Sequence, residues 1–157
     1  MLVACSSDDS ARDTRDDYER GLAALCDGLH YGVRRCELPD PDPSYCGYHP
    51  TGVRGSSLAA VGACLRHEEC ARLALEQPAD HCFDEVRSTQ PLSDGVIAYC
   101  ESAATSYFRC NVWWSVEDCT EQMSLWSDDV LQAATLCHEQ PCDTLESCEK
   151  ITFAAPP

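Results

Sequence analysis

The residues with the clearest chemistry in this sequence are thirteen cysteines among 157 residues. Twelve of them fall into two sets of six. The numbers of residues between successive cysteines are 9, 9, 17, 5 and 11 in the first set, and 9, 8, 17, 4 and 5 in the second. Four of the five gaps agree within one residue, which indicates a duplicated unit. The sets are Cys26, Cys36, Cys46, Cys64, Cys70 and Cys82, then Cys100, Cys110, Cys119, Cys137, Cys142 and Cys148.

Cysteines at this density either bind metal or form disulfides. Structural zinc sites usually contain C-x-x-C pairs, and the sequence has none. We therefore predict that all twelve cysteines form disulfides in an oxidising compartment, and we predict neither a metal ligand nor a cofactor. A metal-thiolate protein with reduced cysteines is the alternative.

Helix geometry limits the pairing. Cys26 and Cys36 lie about 15 Å apart along one predicted helix. A disulfide needs its Cα atoms within about 7 Å, so these two cannot bond. If residues 142–148 are helical, the same reasoning separates the cysteines at their two ends. Antiparallel packing would bring the end of each first helix near Cys46 or Cys119, so we predict the pairs Cys36–Cys46 and Cys110–Cys119. The other four cysteines of each unit would then join its three helices.

The other polar residues form no catalytic motif. The five histidines give neither H-E-x-x-H nor an i, i+4 pair. The serines give no G-x-S-x-G elbow, and no glycine-rich phosphate loop occurs. We therefore predict no catalytic residue and no enzyme.

The charge of the chain excludes one class of partner. The formal net charge is −16, from 27 acidic and 11 basic residues. Such a chain should not bind nucleic acid through bulk charge, since the phosphate backbone is itself negative. No apolar stretch is long enough to cross a bilayer.

Helical spacing of apolar residues defines the elements that carry the cysteines. Leu22, Leu25, Leu29 and Val33 follow the i, i+3, i+4 pattern, and a shift of 74 residues gives a matching pattern. The predicted fold is all-α, with two tandem disulfide-stapled repeats. Each is a hairpin of amphipathic helices plus a short third helix. The repeats span residues 18–84 and 92–151, and residues 152–157 are expected to form a disordered tail.

Four aromatic residues lie on cysteine-flanked loops of the two repeats. They could form a rigid surface that binds a protein or a glycan, because aromatic side chains dominate many interfaces. The alternative is that the tryptophans cover disulfides and fill a small core. The four residues are Tyr45, Tyr48, Trp113 and Trp114.

The N-terminal sequence Leu2-Val3-Ala4-Cys5 resembles the lipobox of bacterial lipoproteins. This resemblance implies a diacylglyceryl thioether on Cys5, and thus the membrane as a partner. Residues 1–4 would be the remnant of a signal peptide whose charged and apolar regions are expected upstream of Met1. The lipidated Cys5 would begin a disordered acidic tether over residues 5–17. A chance free thiol is the alternative.

Two short segments that contain cysteines extend this resemblance, namely Ala63-Cys64-Leu65-Arg66 and the run from Gln77 to Cys82. Together with the start of the chain they resemble cysteine-rich bacterial lipoproteins of the myxobacterial type. The resemblance implies location and fold more than activity. We expect a lipid-anchored protein of the bacterial envelope, at the outer membrane, periplasm or cell surface, with a non-catalytic binding or structural role. A secreted carbohydrate- or protein-binding module is the alternative.

Overall fold

The computed structural model describes residues 7–41, 46, 52–75 and 77–154. The predicted all-α class is confirmed, because within these ranges the only extended pairing is an isolated bridge between Val53 and Trp126. A 3-10 turn spans Leu136–Glu139. The α-helices are α1 (Ser7–Arg35), α2 (Gly55–Leu65), α3 (Cys70–Leu73), α4 (Asp80–Thr89), α5 (Asp94–Arg109), α6 (Val116–Met123), α7 (Asp128–Thr135) and α8 (Cys142–Ala154).

The chain divides into two compact units at Val86, inside α4. The first unit contains α1, α2, α3 and most of α4. The second contains α5 to α8 together with the short segment that ends at Val53. Within the described ranges, every helix is too short or too polar to span a bilayer.

The first unit is built on the packing of α1 against α2. The predicted apolar stripe of α1 is buried in this contact, and it meets an apolar stripe of α2. The buried residues are Leu25, Leu29 and Val33 from α1, and Leu58, Val61 and Leu65 from α2.

Paired glycines let these two helices approach closely. Gly21 and Gly28 lie two turns apart on α1, and Gly55 and Gly62 lie at the same spacing on α2. A Cβ atom added at Gly28 would overlap the backbone of Gly62, and one at Gly21 would overlap that of Gly55. The helix contact therefore requires backbone without side chains at these points, which only glycine provides.

The second unit is centred on α5. The side chain of Ser93 caps the helix by accepting a hydrogen bond from the amide of Val96. One face of α5 packs against α6 and α7 and is inaccessible to solvent. The core of this unit contains Val96, Tyr99, Cys100, Ala103, Cys119, Leu131 and Ala134.

Two segments predicted to be disordered are helical where the structure describes them. Helix α1 begins at Ser7 and α8 ends at Ala154, so the predictions for residues 7–17 and 152–154 are wrong. Extending an existing helix costs far less than nucleating one, and ion pairs such as Arg15–Glu19 support the added turns. Cys5 and residues 155–157 lie outside the described ranges.

The first unit contains one helix more than predicted. The short third helix is present as α3, but α4 follows it and contains Cys82. In the second unit, α8 is a helix of 13 residues rather than a short one. The additional turns carry cysteines to positions where they can cross-link the longer helices.

We predict that Gly28→Ala lowers the free energy of unfolding by about 1–3 kcal/mol, because the new methyl group overpacks the contact with Gly62. Urea unfolding monitored by circular dichroism measures the change. The matched control is Asp27→Ala at the adjacent exposed position, where a change within about 0.5 kcal/mol is expected. A stability gain in Gly28→Ala, the usual result of replacing glycine in a helix, would contradict the packing.

Candidate functional site

Helices α1 and α5 end in the same local geometry. Glu37 has φ 56° and Asn111 has φ 58°, the two positive values among the described non-glycine residues. Each of these left-handed residues directly follows a cysteine, and the next amide donates back to the last turn of the helix, as in a Schellman end. The two hydrogen bonds, both 2.9 Å long, join Leu38 N to Val33 O and Val112 N to Tyr107 O.

An arginine just before each of these cysteines fastens the helix end to a later loop. The Arg35 guanidinium donates to the carbonyl oxygen of Glu68. The Arg109 guanidinium donates to the carbonyl oxygens of His138 and Gln140, at 3.0 and 2.8 Å. Each loop leads directly into the helix that carries the partner cysteine. The arginine therefore positions the two sulfurs for bonding.

Ten of the twelve cysteines form five disulfides, with Cα–Cα distances from 5.4 to 5.7 Å. The predicted pairs Cys36–Cys46 and Cys110–Cys119 are wrong. The left-handed residue turns the chain at each helix end, so the cysteine bonds to the start of a later helix rather than to the next cysteine along the chain. The observed pairs are Cys36–Cys70, Cys64–Cys82, Cys100–Cys119, Cys110–Cys142 and Cys137–Cys148.

Two cysteines predicted to form disulfides are unbonded in this structure. Cys26 and Cys46 are both half-buried, and both belong to the first unit. The Sγ atom of Cys26 lies 3.8 Å from the carbonyl oxygen of Cys46. The two residues are therefore neighbours despite the missing bond.

One group of side chains in the first unit has the donor atoms of a metal site. Sulfurs of Cys64 and Cys82 and a carboxylate oxygen of Glu68 lie within 4.8 Å of one another. The two sulfurs are joined as a disulfide, however, and the thiolate is the form that binds metal. The buried carboxylate also has the Arg72 guanidinium beside it at 3.5 Å and the His81 ring at 3.9 Å. The metal-thiolate alternative would require this bond to be reduced.

The second unit contains a buried carboxylate with three hydrogen-bond donors. The Tyr99 hydroxyl donates to Oε1 of Glu149 at 2.9 Å, and the Tyr107 hydroxyl donates to Oε2 at 2.6 Å. Nε2 of His138 lies 2.9 Å from Oε1. We call these four residues the Glu149 cluster. It links α5, the 3-10 turn and α8 through one charge.

The donors decide the protonation state of Glu149. Burial by itself raises the pKa of this carboxyl group, but the hydrogen bonds from His138, Tyr107 and Tyr99 hold its pKa below the ordinary value. Burial, together with the adjacent carboxylate, raises the pKa of both tyrosines. At neutral pH the cluster is therefore a carboxylate that accepts hydrogen bonds from neutral phenols.

A disulfide brings the cluster together. His138 and Glu149 directly follow Cys137 and Cys148, which are bonded to each other. The sequence offered this signal, a polar residue after each of two cysteines, but it could be interpreted only once the pairing was known. For this reason the cluster could not be predicted from the sequence, where His138 belongs to no motif.

A chain of contacts that runs from Ser102 through the cluster resembles a hydrolase triad. Nδ1 of His138 lies 2.8 Å from Oγ of Ser102, and its other ring nitrogen faces Glu149. Ser102 lies in the middle of α5, where neighbouring backbone amides are used in helical hydrogen bonds. An acyl-transfer site needs free donors for the developing oxyanion. The arrangement therefore favours a clamp between helices over a nucleophile.

The two adjacent tryptophans of the proposed binding surface differ in their environments. Trp113 is 81 % exposed. Trp114 is half-buried and stacks on Tyr107, with ring centroids 4.6 Å apart and planes 8° from parallel. Trp114 thus packs against the Glu149 cluster, as the core alternative expected, and only Trp113 faces solvent. Tyr45 and Tyr48 lie outside the described residues.

The exposed indole belongs to a group of apolar side chains at the end of α5. Phe108 is 78 % exposed and Val112 is 47 % exposed. Both lie within five residues of Trp113, on either side of the Cys110–Cys142 bond. We call Phe108, Val112 and Trp113 the α5 apolar end. It combines large hydrophobic side chains with a backbone fixed by a disulfide, an arginine and a left-handed turn.

We predict that Glu149→Gln lowers the free energy of unfolding at pH 7 by about 1.5–3 kcal/mol, because a neutral amide replaces the charged acceptor of three hydrogen bonds. The matched control is Glu146→Gln on the same helix, since Glu146 is exposed and forms its ion pair with Lys150 at the surface. Equal stabilities of the two variants in urea unfolding would contradict the role of the cluster.

The lowered pKa of Glu149 also sets a pH dependence. The carboxylate contributes fully to stability above about pH 4.3, which is the pKa of a glutamate in the unfolded chain. This contribution is lost as the pH falls through the lower pKa that Glu149 has in the folded protein. The wild-type protein should lose more stability than Glu149→Gln over this acid range, in urea unfolding from pH 7 to about pH 3.

Comparisons with protein-family models, with curated proteins and with solved structures find no match. What the protein does must therefore be inferred from its own residues. These supply five cross-links, a buried carboxylate cluster and an exposed apolar helix end.

Proposed function

We propose that the protein acts by binding, without catalysis, and that its partner is a protein held by the α5 apolar end. Five disulfides indicate an oxidising, extracytoplasmic environment, where such bonds persist. The observation that carries the proposal is the exposure of Phe108, Val112 and Trp113 on a cross-linked helix end.

Exposed aromatic side chains on a rigid backbone suit a binding site. Tryptophan is among the residues that contribute most to binding free energy at protein interfaces. Binding also costs conformational entropy when loops or side chains must be ordered. At the α5 end the turn after Arg109 is held by backbone hydrogen bonds and by the Cys110–Cys142 bond. The conformational entropy of this turn is therefore lost when the chain folds and not when the partner binds.

The shape and charge of the surface favour a particular class of partner. The valine and the phenylalanine add apolar area to the single exposed indole, which suits a cluster of apolar side chains on another protein. The net charge of −16 disfavours an acidic partner through long-range repulsion. We therefore expect an apolar patch with a neutral or basic rim. A glycan bound to Trp113 is the other outcome of the test below.

The proposal is tested by photo-crosslinking in the source organism. Val112 is replaced by benzoylphenylalanine, and the matched control carries the same probe at Ile151, which is 72 % exposed on α8. We expect a discrete adduct from the Val112 position, lost when Phe108 and Trp113 are changed to alanine. Mass spectrometry of the digested adduct should identify peptides of a second protein if the partner is a protein, whereas a glycosidase should shorten the adduct if the partner is a glycan.

Two results would contradict the proposal. One is no adduct at the Val112 position under conditions where the probe is incorporated and the protein is folded. The other is an equal set of adducts at Ile151, which would show non-specific contact.

The local geometry that recurs 74 residues apart supports an origin of the two units by duplication. In both units the second cysteine bonds to the fifth, and the fourth bonds to the sixth. We propose on this basis that the chain is a tandem repeat of one helical unit.

We further propose that the protein is anchored in the bacterial envelope by lipid on Cys5, as its resemblance to cysteine-rich lipoproteins of the myxobacterial type implies. The lipobox-like residues 2–5 and the odd number of cysteines support this anchor. Helix α1 begins two residues after Cys5. A diacylglyceryl group would supply two acyl chains, enough for stable attachment.

We predict that Cys5→Ala moves the protein, expressed from its own gene, from the membrane fraction to the soluble fraction. The loss of two acyl chains removes most of the membrane affinity. The control is Cys26→Ala, which removes a cysteine that is unbonded in the structure. This variant should stay with the membrane. Equal membrane association of Cys5→Ala and wild type, measured by fractionation and intact mass, would disprove the anchor.

A further inference from the structure

The two unbonded cysteines of the first unit are in contact. Sγ of Cys26 lies 3.8 Å from the carbonyl oxygen of Cys46, and the Cys46 side chain contributes to the raised pKa of the Cys26 thiol. Both residues are half-buried, so a small oxidant in solution can reach them. The geometry thus resembles that of a reduced disulfide rather than that of two separate cysteines.

The second unit shows the bond that these residues lack. In each set of six, counting along the chain, two pairings are shared, namely the second cysteine with the fifth and the fourth with the sixth. The second unit adds a bond between its first and third cysteines, Cys100 and Cys119. The first and third cysteines of the first unit are Cys26 and Cys46, and they are the two left without a bond.

We propose that Cys26 and Cys46 form a sixth disulfide by exchange with an external disulfide, such as oxidised glutathione or an oxidised thiol–disulfide oxidoreductase, and that the exchange begins at Cys46. The bond joins the middle of α1 to Cys46. It gives the first unit the same three pairings as the second. This modification is independent of the partner proposed for the α5 apolar end.

The environment of Cys26 explains the order of the steps. Burial, the Cys46 side chain and the charge of Asp27 together raise the pKa of its thiol to about 12. Thiol exchange requires a thiolate, so the raised pKa disfavours attack by Cys26 at neutral pH. Once Cys46 carries a mixed disulfide, it no longer ionises beside Cys26. One cause of the raised pKa is then removed.

The exchange balances in two steps. The Cys46 thiolate attacks one sulfur of oxidised glutathione, the disulfide of the oxidant breaks, and one glutathione thiolate leaves. The Cys26 thiol loses its proton to solvent, and the resulting thiolate attacks Sγ of Cys46 in the mixed disulfide. The Cys26–Cys46 bond forms and the second glutathione leaves as a thiolate. In total, two protein thiols are oxidised and one molecule of glutathione disulfide is reduced to two thiols.

Counting thiols by intact mass tests the proposal. The full chain carries Cys5→Ser to remove the odd cysteine. It is incubated with oxidised glutathione, then unfolded in urea and alkylated without reduction. We expect neither an alkyl group nor a glutathione adduct on this protein. With Cys26→Ser added and the oxidant omitted, we expect one alkyl group, located on Cys46. Two alkyl groups on the Cys5→Ser protein after oxidation, on Cys26 and Cys46, would overturn the sixth bond.

The order of the steps has its own test. With Cys26→Ser, oxidised glutathione at pH 7 should add one glutathione to Cys46. With Cys46→Ser, the remaining Cys26 should react at least tenfold more slowly. Equal rates would overturn entry at Cys46. Far-ultraviolet circular dichroism and retention of the other five disulfides show whether each variant is folded.

Discussion

The structure depends on the cross-link that fastens the end of the first helix of each unit to the start of a later helix. Burial of apolar surface gives units of this size only marginal stability, and disulfides commonly add to it. The bonds Cys36–Cys70 and Cys110–Cys142 each enclose more than thirty residues. Their positions follow from two local features. One is an arginine that donates a hydrogen bond to a carbonyl oxygen of a later segment, and the other is a residue in the left-handed conformation.

The buried and exposed features of the second unit depend on the same covalent frame. Cys137–Cys148 places His138 beside Glu149, so a charge can be buried with its donors in position. The cluster supports Tyr107, on which Trp114 stacks. Trp113, the next residue along the chain, is left in solvent. A rigid interior and an exposed aromatic side chain therefore meet within a few residues, as a binding surface requires.

The all-α class and the apolar faces of the first helices could be predicted from periodicity, because helical spacing and burial have the same cause. The disulfide partners could not, since they depend on the direction in which the chain leaves each helix. That direction is set by φ at Glu37 and Asn111, residues whose types do not demand a left-handed conformation. The Glu149 cluster was hidden for the same reason. The glycine contact was visible as a seven-residue spacing, but its meaning required the pairing of α1 with α2.

A disulfide map of the unreduced protein tests the covalent frame most directly. Trypsin together with a glutamate-specific protease places every cysteine of the two sets on a peptide of its own, since cleavage after Glu37 separates Cys36 from Cys46. The account predicts that mass spectrometry links the Cys36 peptide to the Cys70 peptide, and the Cys110 peptide to the Cys142 peptide. Links from Cys36 to Cys46 or from Cys110 to Cys119, or free thiols at these positions, would contradict it.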